Sequence, residues 1–282
     1  MGKSVYEMVT ERIIEQLENG VIPWEMPWTG VQSGAYNRIS KKPYSLLNQM
    51  LLKHSGEYAT FKQWSELGGK IKKGAKSEIV VFWKIQPVEE TKEDGTRTIK
   101  QIPLLRYYNV FHISDVEGVK PLEGLKEKEV EPIEEAEKIK EEYKTRENLQ
   151  IIETVSNEAY YSPMRDYIKV PCKEQFKEIE EFYSTLFHEM VHSTGHKTRL
   201  DRMGTGANIA SFGSEEYSKE ELIAEIGSAT LLNILGIETK KSFRNSAAYI
   251  QNWLSVLRND SKFIVSASSK AEKAVKFILN EG

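Results

Sequence analysis

The chain has 282 residues, 39% of them hydrophobic and 29% charged, with a formal net charge of −3 at pH 7. This composition is typical of a globular protein with a large core, and it argues against a dense polyanion or a globally basic nucleic-acid binder. A single cysteine, Cys172, excludes an internal disulfide and a cysteine-rich zinc site. With no apolar run long enough to cross a bilayer and no recognisable signal peptide, we expect a cytoplasmic protein without a membrane partner.

Helices and strands alternate in the predicted N-terminal domain, which spans residues 1–116. Apolar residues at helical spacing predict an opening helix over 4–19 that Gly20 ends. Short helices are predicted over 44–53 and 60–68. The runs SEIVVFWKI and TIKQIPLLRYYNVFHI are typical of two strands joined across a Glu-Asp-Gly-Thr turn.

A charged segment punctuated by proline and glycine, residues 117–131, is the predicted linker between two domains. The second domain, 132–282, is predicted to contain a helix over 133–146, strands at 150–155, 158–161 and 166–170, a long helix from about Lys173 to Gly195, a helix opening at Ser218, and closing helices over 245–258 and 261–280. The expected fold class is therefore α+β, with two domains.

The long helix of the second domain contains the sequence TLFHEMVHSTGH. Helical spacing puts His188 and His192 one turn apart on one face, where both imidazoles can reach one ion. Glu189 is turned about 100° from them, and its predicted catalytic role is that of general base toward an attacking water. Histidines that only pack or cap the helix are the alternative, and the apolar helical flank favours a metal site.

A catalytic zinc normally requires a third protein ligand. His196 follows His192 by four residues but lies beyond Ser-Thr-Gly, so it is better interpreted as a helix-end or substrate-pocket residue. Glu221 forms an apparent capping box with Ser218, which gives it a structural role. Glu225 is the only charged residue between Leu222 and Ile237. Because a buried carboxylate needs a partner or a metal, Glu225 is the preferred third ligand, with Glu221 and His196 left as alternatives.

Basic residues are concentrated between positions 36 and 84, where ten lysines and arginines stand against three acidic residues. Exposed lysines can neutralise phosphates, and flat aromatic rings can stack on bases. The candidate DNA-binding residues are Arg38, Lys41, Lys42, Trp64, Lys70, Lys72, Lys73 and Lys76. A solvated lysine loop with aromatic residues in the core is the alternative interpretation.

Several segments resemble ArdC-type antirestriction proteins. In the second domain these are AYYSPMRDYIKVP, FKEIEEFYSTLFHEMVHSTGHKTRLDR, FGSEEYSKEELIAEIGSATLL and AAYIQNWLSVLRND. In the first they are YNRISKKPYSLLNQMLL, ATFKQWSELGGKIKKGAKSEIVVFWKI and RYYNVFHISDVEGV. The resemblance implies a domain that binds single-stranded DNA, followed by a zincin-like metallopeptidase domain. It also implies Zn²⁺ at His188 and His192, with DYIKVP as the edge strand that an extended protein substrate would join.

Two functions are consistent with these predictions. The first is a zinc-dependent peptidase that single-stranded DNA directs to a protein substrate, whose identity the sequence does not reveal. The second is a protein that shields incoming plasmid DNA, with the zinc domain as a scaffold or docking module. Glu189 favours the first, because a purely structural zinc site does not require a base.

Overall fold

The computed structural model of the protein describes residues 2–25, 34–91, 97–122, 131–203, 215–238 and 247–281. Helices and sheets are both present, which confirms the predicted α+β class. Among the described residues, no helix is both long enough and apolar enough to span a bilayer.

Eight α-helices occur in the described part of the chain. They are α1 (Val5–Glu18), α2 (Leu46–Leu51), α3 (Phe61–Glu66), α4 (Pro132–Arg146), α5 (Ile179–Ser193), α6 (Glu215–Leu235), α7 (Ala247–Asn259) and α8 (Phe263–Ile278). Local sequence determines where several of them begin. The Ser4 hydroxyl accepts a hydrogen bond from the Glu7 amide, and the Glu7 carboxylate accepts one from the Ser4 amide. Helix α4 has a proline in its first turn, where no amide hydrogen is needed.

Nine strands form three sheets within the described ranges. They are β1 (Ala35–Asn37), β2 (Gly56–Ala59), β3 (Lys70–Ile71), β4 (Glu78–Thr91), β5 (Arg97–His112), β6 (Val116–Glu117), β7 (Gln150–Thr154), β8 (Tyr160–Ser162) and β9 (Tyr167–Pro171). The first sheet has the order β1-β2-β5-β4, the second pairs β3 with β6, and the third has the order β7-β9-β8. The predicted turn between β4 and β5 lies outside the described residues.

The largest hydrophobic core contains residues from both ends of the chain. Val9 and Ile13 of α1 are fully buried in the same cluster as residues of α5 to α8. The indole ring of Trp24 packs edge-on against that of Trp253, with 5.3 Å between the ring centroids. The N-terminal helix therefore packs against C-terminal helices. The division into domains at residues 117–131 stays a prediction, and residues 123–130 of that linker lie outside the described ranges.

Two predicted elements around the long helix were wrong. DYIKVP was expected at a sheet edge, but β9 lies in the centre, parallel to β7 and antiparallel to β8. The helix was expected to begin near Lys173, but α5 begins at Ile179. Phe176 has an extended backbone, and its ring packs 5.6 Å from that of Phe182. The chain before Ile179 is therefore not helical at Phe176, and its ring covers the first turn of α5.

Candidate metal centre

Helices α5 and α6 approach each other closely at Gly227. A Cβ atom built at Gly227 would lie 2.8 Å from Cγ2 of Val191, so a larger residue would push the helices apart. The Ser228 hydroxyl donates to the carbonyl oxygen of Ser184 at 3.0 Å, two turns before Val191 on α5. Ser184, His188 and His192 of α5 contact Ser228, Glu225 and Glu220 of α6 in turn. The two helices are therefore antiparallel.

This packing brings together three groups that could hold a metal ion, from His188, His192 and Glu221. Their ligand atoms all lie within 4.8 Å of one another. The two Nε2 atoms are 3.0 Å apart, and the Glu221 carboxylate oxygens lie 3.5 Å from Nε2 of His188 and 3.3 Å from Nε2 of His192. Two imidazole nitrogens and one carboxylate oxygen are a typical donor set for a divalent cation.

A second carboxylate approaches the other nitrogen of each imidazole. Oε1 of Glu225 lies 3.2 Å from Nδ1 of His188, and Oε1 of Glu220 lies 3.5 Å from Nδ1 of His192. Carboxylates in this position fix the tautomer and the orientation of a metal-binding histidine. All three glutamates come from the first three turns of α6.

The expectation that Glu225 completes the cluster is corrected by this geometry. Glu225 lies next to Nδ1 of His188, whereas Glu221 lies next to the Nε2 atoms of both histidines. The expected capping box of Ser218 and Glu221 was also wrong, because α6 already includes Glu215. Glu221 is therefore inside the helix, and its carboxylate points toward the histidines.

Arg202 holds Glu220 in place. Its guanidinium donates to Oε1 of Glu220 at 2.7 Å and to Oε2 at 3.3 Å. The same side chain donates to Oγ1 of Thr194 and to the carbonyl oxygen of Val191, at 2.7 and 2.9 Å. Since Arg202 lies in the loop that follows α5, it connects this loop, the end of α5 and α6 around His192.

The carboxylates create a strongly negative environment. Burial lowers the pKa of His192, but hydrogen bonds to Glu220 and Glu221 outweigh this effect and raise the pKa to about 10. Burial works against the ionised form of Glu221, yet its contacts with His188 and His192 hold its pKa well below the usual range. The site therefore stabilises positive charge, in the form of a proton or a cation.

Glu189 and His196 lie beside the cluster. Glu189 is buried next to His188, and its negative charge contributes to the raised pKa of His192. His196 follows the end of α5, where Nδ1 is 2.8 Å from Oγ1 of Thr198 and 3.9 Å from Oδ2 of Asp166. His196 is not part of the cluster of His188, His192 and Glu221 and lies just after the C-terminal end of α5.

Two of the candidate DNA-binding residues are unsuited to that role. Trp64 is fully buried, and its Nε1 donates to the carbonyl oxygen of Phe111 at 2.9 Å, so the indole belongs to the core. The Arg38 guanidinium is largely buried in an ion pair with Glu57. Its charge is already neutralised, which corrects the expectation that it contacts phosphate.

The six candidate lysines are exposed, namely Lys41, Lys42, Lys70, Lys72, Lys73 and Lys76. Lys72 also donates from Nζ to the carbonyl oxygen of Ser114 at 2.7 Å, which leaves the ammonium at the surface. Lys41 has a positive φ of 56° in the turn after β1. These side chains are placed where a polyanion could reach them.

Sequence reasoning missed Glu220 and Arg202. Glu220 was one of several acidic residues in SKEELIAE, and only the crossing of the two helices distinguishes their roles. Arg202 had no periodicity or motif spacing that would separate it from other arginines. Its function depends on the return of the loop after α5 toward α6.

Comparison with known proteins defines the class of protein. Residues 136–270 match the family of zincin-like metallopeptidases, and residues 3–111 match the N-terminal domain of the anti-restriction factor ArdC. The fold and site are thus those of a zincin-like domain preceded by an ArdC-type N-terminal region.

Solved structures and sequence relatives agree with this class. The crystal structures of the antirestriction ArdC protein from plasmid R388 give TM-scores of 0.75 in the metal-free form and 0.76 in the Mn(II)-bound form. Both are 31% identical to this chain and cover 99% of it and 98% of their own length. The chain belongs to the ArdC antirestriction family, which confirms the resemblance seen in its sequence.

Two sequence relatives differ in length: one is much longer than this chain, and the other is of similar length. The DNA primase TraC of Escherichia coli is 33% identical over 299 residues, and the match covers 98% of this chain and 27% of the primase. The uncharacterized protein y4eC of Sinorhizobium fredii is 32% identical over 288 residues, with 95% of this chain and 89% of the relative covered. The chain thus spans about a quarter of the primase.

We expect Arg202→Met to destabilise the fold by about 3–5 kcal/mol, because it leaves a buried carboxylate without its cation. Arg258→Met is the matched control. Arg258 pairs with Glu18 at 2.5 Å, but its side chain is 53% exposed, so its loss should cost about 0–1 kcal/mol. Urea unfolding of the metal-free protein, followed by circular dichroism, measures both. Equal losses would show that Arg202 does not hold Glu220.

Proposed function

We propose that this antirestriction protein binds single-stranded DNA and carries a zinc-dependent peptidase in its C-terminal region, so that incoming plasmid or mobile-element DNA is protected. The observation that carries the peptidase proposal is the convergence of His188, His192 and Glu221 next to Glu189. The proposed regions are residues 1–116 for DNA binding and 132–282 for peptidase activity.

The donor geometry supports zinc as the ion. Zinc–nitrogen distances of ~2.0–2.1 Å and a tetrahedral angle place two imidazole nitrogens about 3.3 Å apart. The Nε2 atoms of His188 and His192 are separated by 3.0 Å, close to this spacing. The crystal structure of the R388 protein with Mn(II) further supports a divalent cation in this family.

In this proposal His188, His192 and Glu221 are the metal ligands, and Glu225 and Glu220 orient the two imidazoles. Two histidines with a glutamate from a later helix form one of the known catalytic zinc sets. The three protein ligands leave a fourth position for water or substrate, as catalytic sites require and structural sites do not.

Glu189 is the proposed catalytic residue for peptide hydrolysis. When bound, the zinc ion supplies Lewis acidity that makes water a better nucleophile and polarises the scissile carbonyl. Glu189 accepts the proton of the attacking water and then delivers it to the nitrogen of the departing amine. One carboxylate can perform both transfers because it returns to its ionised form after each peptide bond is cleaved.

Strand β8 is the proposed position for an extended protein substrate. Among the described strands, β8 is at the edge of the β7-β9-β8 sheet and packs against α5. Edge strands present unpaired amide and carbonyl groups that an extended peptide can complete. This position replaces β9, whose two sides are both paired.

The exposed lysines support the DNA-binding part of the proposal. Lys70, Lys72, Lys73 and Lys76 lie within seven residues of one another around β3, and all four side chains are exposed. Clustered lysine ammonium groups attract the phosphates of DNA without regard to base sequence. An incoming single strand would thereby be brought to the protein that carries the peptidase.

The third ligand is tested by comparing Glu221→Gln with Glu225→Gln in a competition with a chromogenic zinc chelator. We expect Glu221→Gln to abolish most zinc affinity, since it weakens a direct ligand. Glu225→Gln should retain zinc with roughly 10–100-fold weaker binding, because it changes only the support of His188. The opposite order would restore Glu225 as the ligand.

Glu189→Gln should leave zinc stoichiometry and oligonucleotide binding unchanged and reduce hydrolysis of an unfolded protein by roughly 10²–10⁴-fold. Glu181→Gln, two turns earlier on α5, is the matched control and should retain activity. Protection of a plasmid entering a restricting host measures the biological role. If protection survives Glu189→Gln, antirestriction does not depend on proteolysis, and the shielding function replaces it.

Replacing Lys70, Lys72, Lys73 and Lys76 with glutamine should weaken binding to an unstructured oligonucleotide and flatten its salt dependence. The slope of log affinity against log salt should fall by about 0.7 for each lost phosphate contact. The control replaces four exposed lysines of the C-terminal region, Lys138, Lys177, Lys270 and Lys273. An equal effect in the control would contradict a DNA-binding role for the N-terminal lysines.

A further inference from the structure

We propose that one face of the β4–β5 ribbon, carrying Phe82, Lys84, Arg106 and Tyr108, is the surface on which bases of single-stranded DNA stack. This inference rests on the DNA-binding part of the proposed function and assigns the stacking surface that Trp64, buried in the core, does not provide. We refer to these four residues as the ribbon face.

The ribbon extends beyond the rest of its sheet. Strands β4 and β5 pair without interruption from Glu78 opposite Val110 to Thr91 opposite Arg97. Strand β2 contacts β5 only at Phe111 and His112. Among the described strands nothing else pairs with the ribbon, so its outer part presents two faces away from the sheet.

The pairing determines which side chains share a face. Opposite residues of an antiparallel pair point to the same side, and neighbours along a strand alternate. Phe82 is opposite Arg106, Lys84 is opposite Leu104, and Tyr108 is opposite Val80. The four residues of the ribbon face therefore project together.

The aromatic rings on this face form a continuous strip that is partly open to solvent. Phe82 is 46% and Tyr108 48% exposed. Their ring centroids are 6.1 Å apart, and the buried ring of Tyr44 packs 6.2 Å from that of Phe82 on the core side. Adjacent exposed rings of this kind are the usual platforms for unpaired bases.

The charges on the same face are complementary to a phosphate backbone. Lys84, Lys100 and Arg106 are all exposed there. Among the side chains that the structure describes on this face, the only carboxylate is that of Glu78, which is buried and accepts a hydrogen bond from the Lys53 amide. Cations interleaved with aromatic rings are the pattern expected for single-strand binding.

Lys41 and Lys42 extend this positive surface. They precede Tyr44 by three and two residues, so the Cα atom of Lys42 lies within about 7.6 Å of the Cα atom of Tyr44. Tyr44 contacts Phe82, so the exposed lysine pair lies close in the chain to a residue that packs against the ribbon face. A strand that stacks on the rings could thus also meet these lysines.

The opposite face has a different character. It presents Trp83, Ile85, Ile99 and Tyr107, all exposed, and none of its described side chains is cationic. Glu89, an exposed carboxylate among these described side chains, would repel phosphate. Tyr107 is 42% exposed and adjacent to Tyr108, so it provides a matched control on the same strand.

The test measures fluorescence anisotropy of a labelled oligothymidylate of about 16 nucleotides, the upper site size of a single-strand-binding fold. Phe82→Leu and Tyr108→Ala should each weaken binding by roughly tenfold, since each removes one stacking ring. Tyr107→Ala should change it less than twofold. Lys84→Gln and Arg106→Gln should each lower the salt slope by about 0.7.

The possible outcomes separate the two proposals. If the wild-type protein does not bind the oligonucleotide, DNA binding itself is wrong. If it binds and the ribbon-face variants bind equally well, the lysines around β3 suffice and the ribbon face is overturned. Equal weakening by Tyr107→Ala also overturns it, as does a change of oligomeric state in Phe82→Leu, which would identify the face as a contact between copies. Circular dichroism verifies that each variant is folded.

Discussion

The candidate metal centre depends on the close antiparallel packing of α5 and α6. Gly227 has no side chain to separate the helices, and Val191 fills the resulting space. Because of this approach, carboxylates from consecutive turns of α6 reach both nitrogens of each imidazole on α5. A wider separation would leave Glu220, Glu221 and Glu225 out of reach of the histidines.

The concentration of buried charge around this site has a clear physical requirement. Four carboxylates, of Glu189, Glu220, Glu221 and Glu225, and two imidazoles lie in a region of low solvent exposure, where unpaired charge is costly. Arg202 pairs with Glu220, and imidazole nitrogens lie 3.2–3.5 Å from the carboxylates of Glu221 and Glu225. A bound cation would lower the electrostatic cost of these carboxylates, which agrees with the zinc role proposed for the site.

The N-terminal region is structurally connected to the metal site through its core. Helix α1 and Trp24 pack among the C-terminal helices, and Asn233 of α6 donates to the Trp24 carbonyl oxygen at 3.1 Å. The β4–β5 ribbon instead extends away from the sheet with aromatic residues exposed. One region therefore contributes both to the stability of the fold around the candidate metal centre and to the ribbon face proposed to bind DNA.

The sequence by itself determined most of the helices, the long strands, the α+β class and the His188–Glu189–His192 motif, because each depends on local periodicity or on short spacing. The family was indicated by the resemblance of whole segments. It did not distinguish Glu221 from Glu225, since both lie on one face of α6 and only the position of α5 decides which reaches the Nε2 atoms. It also placed Trp64 on the surface and β9 at an edge. Burial and strand order result from contacts between residues distant in the chain, so only the tertiary structure decided them.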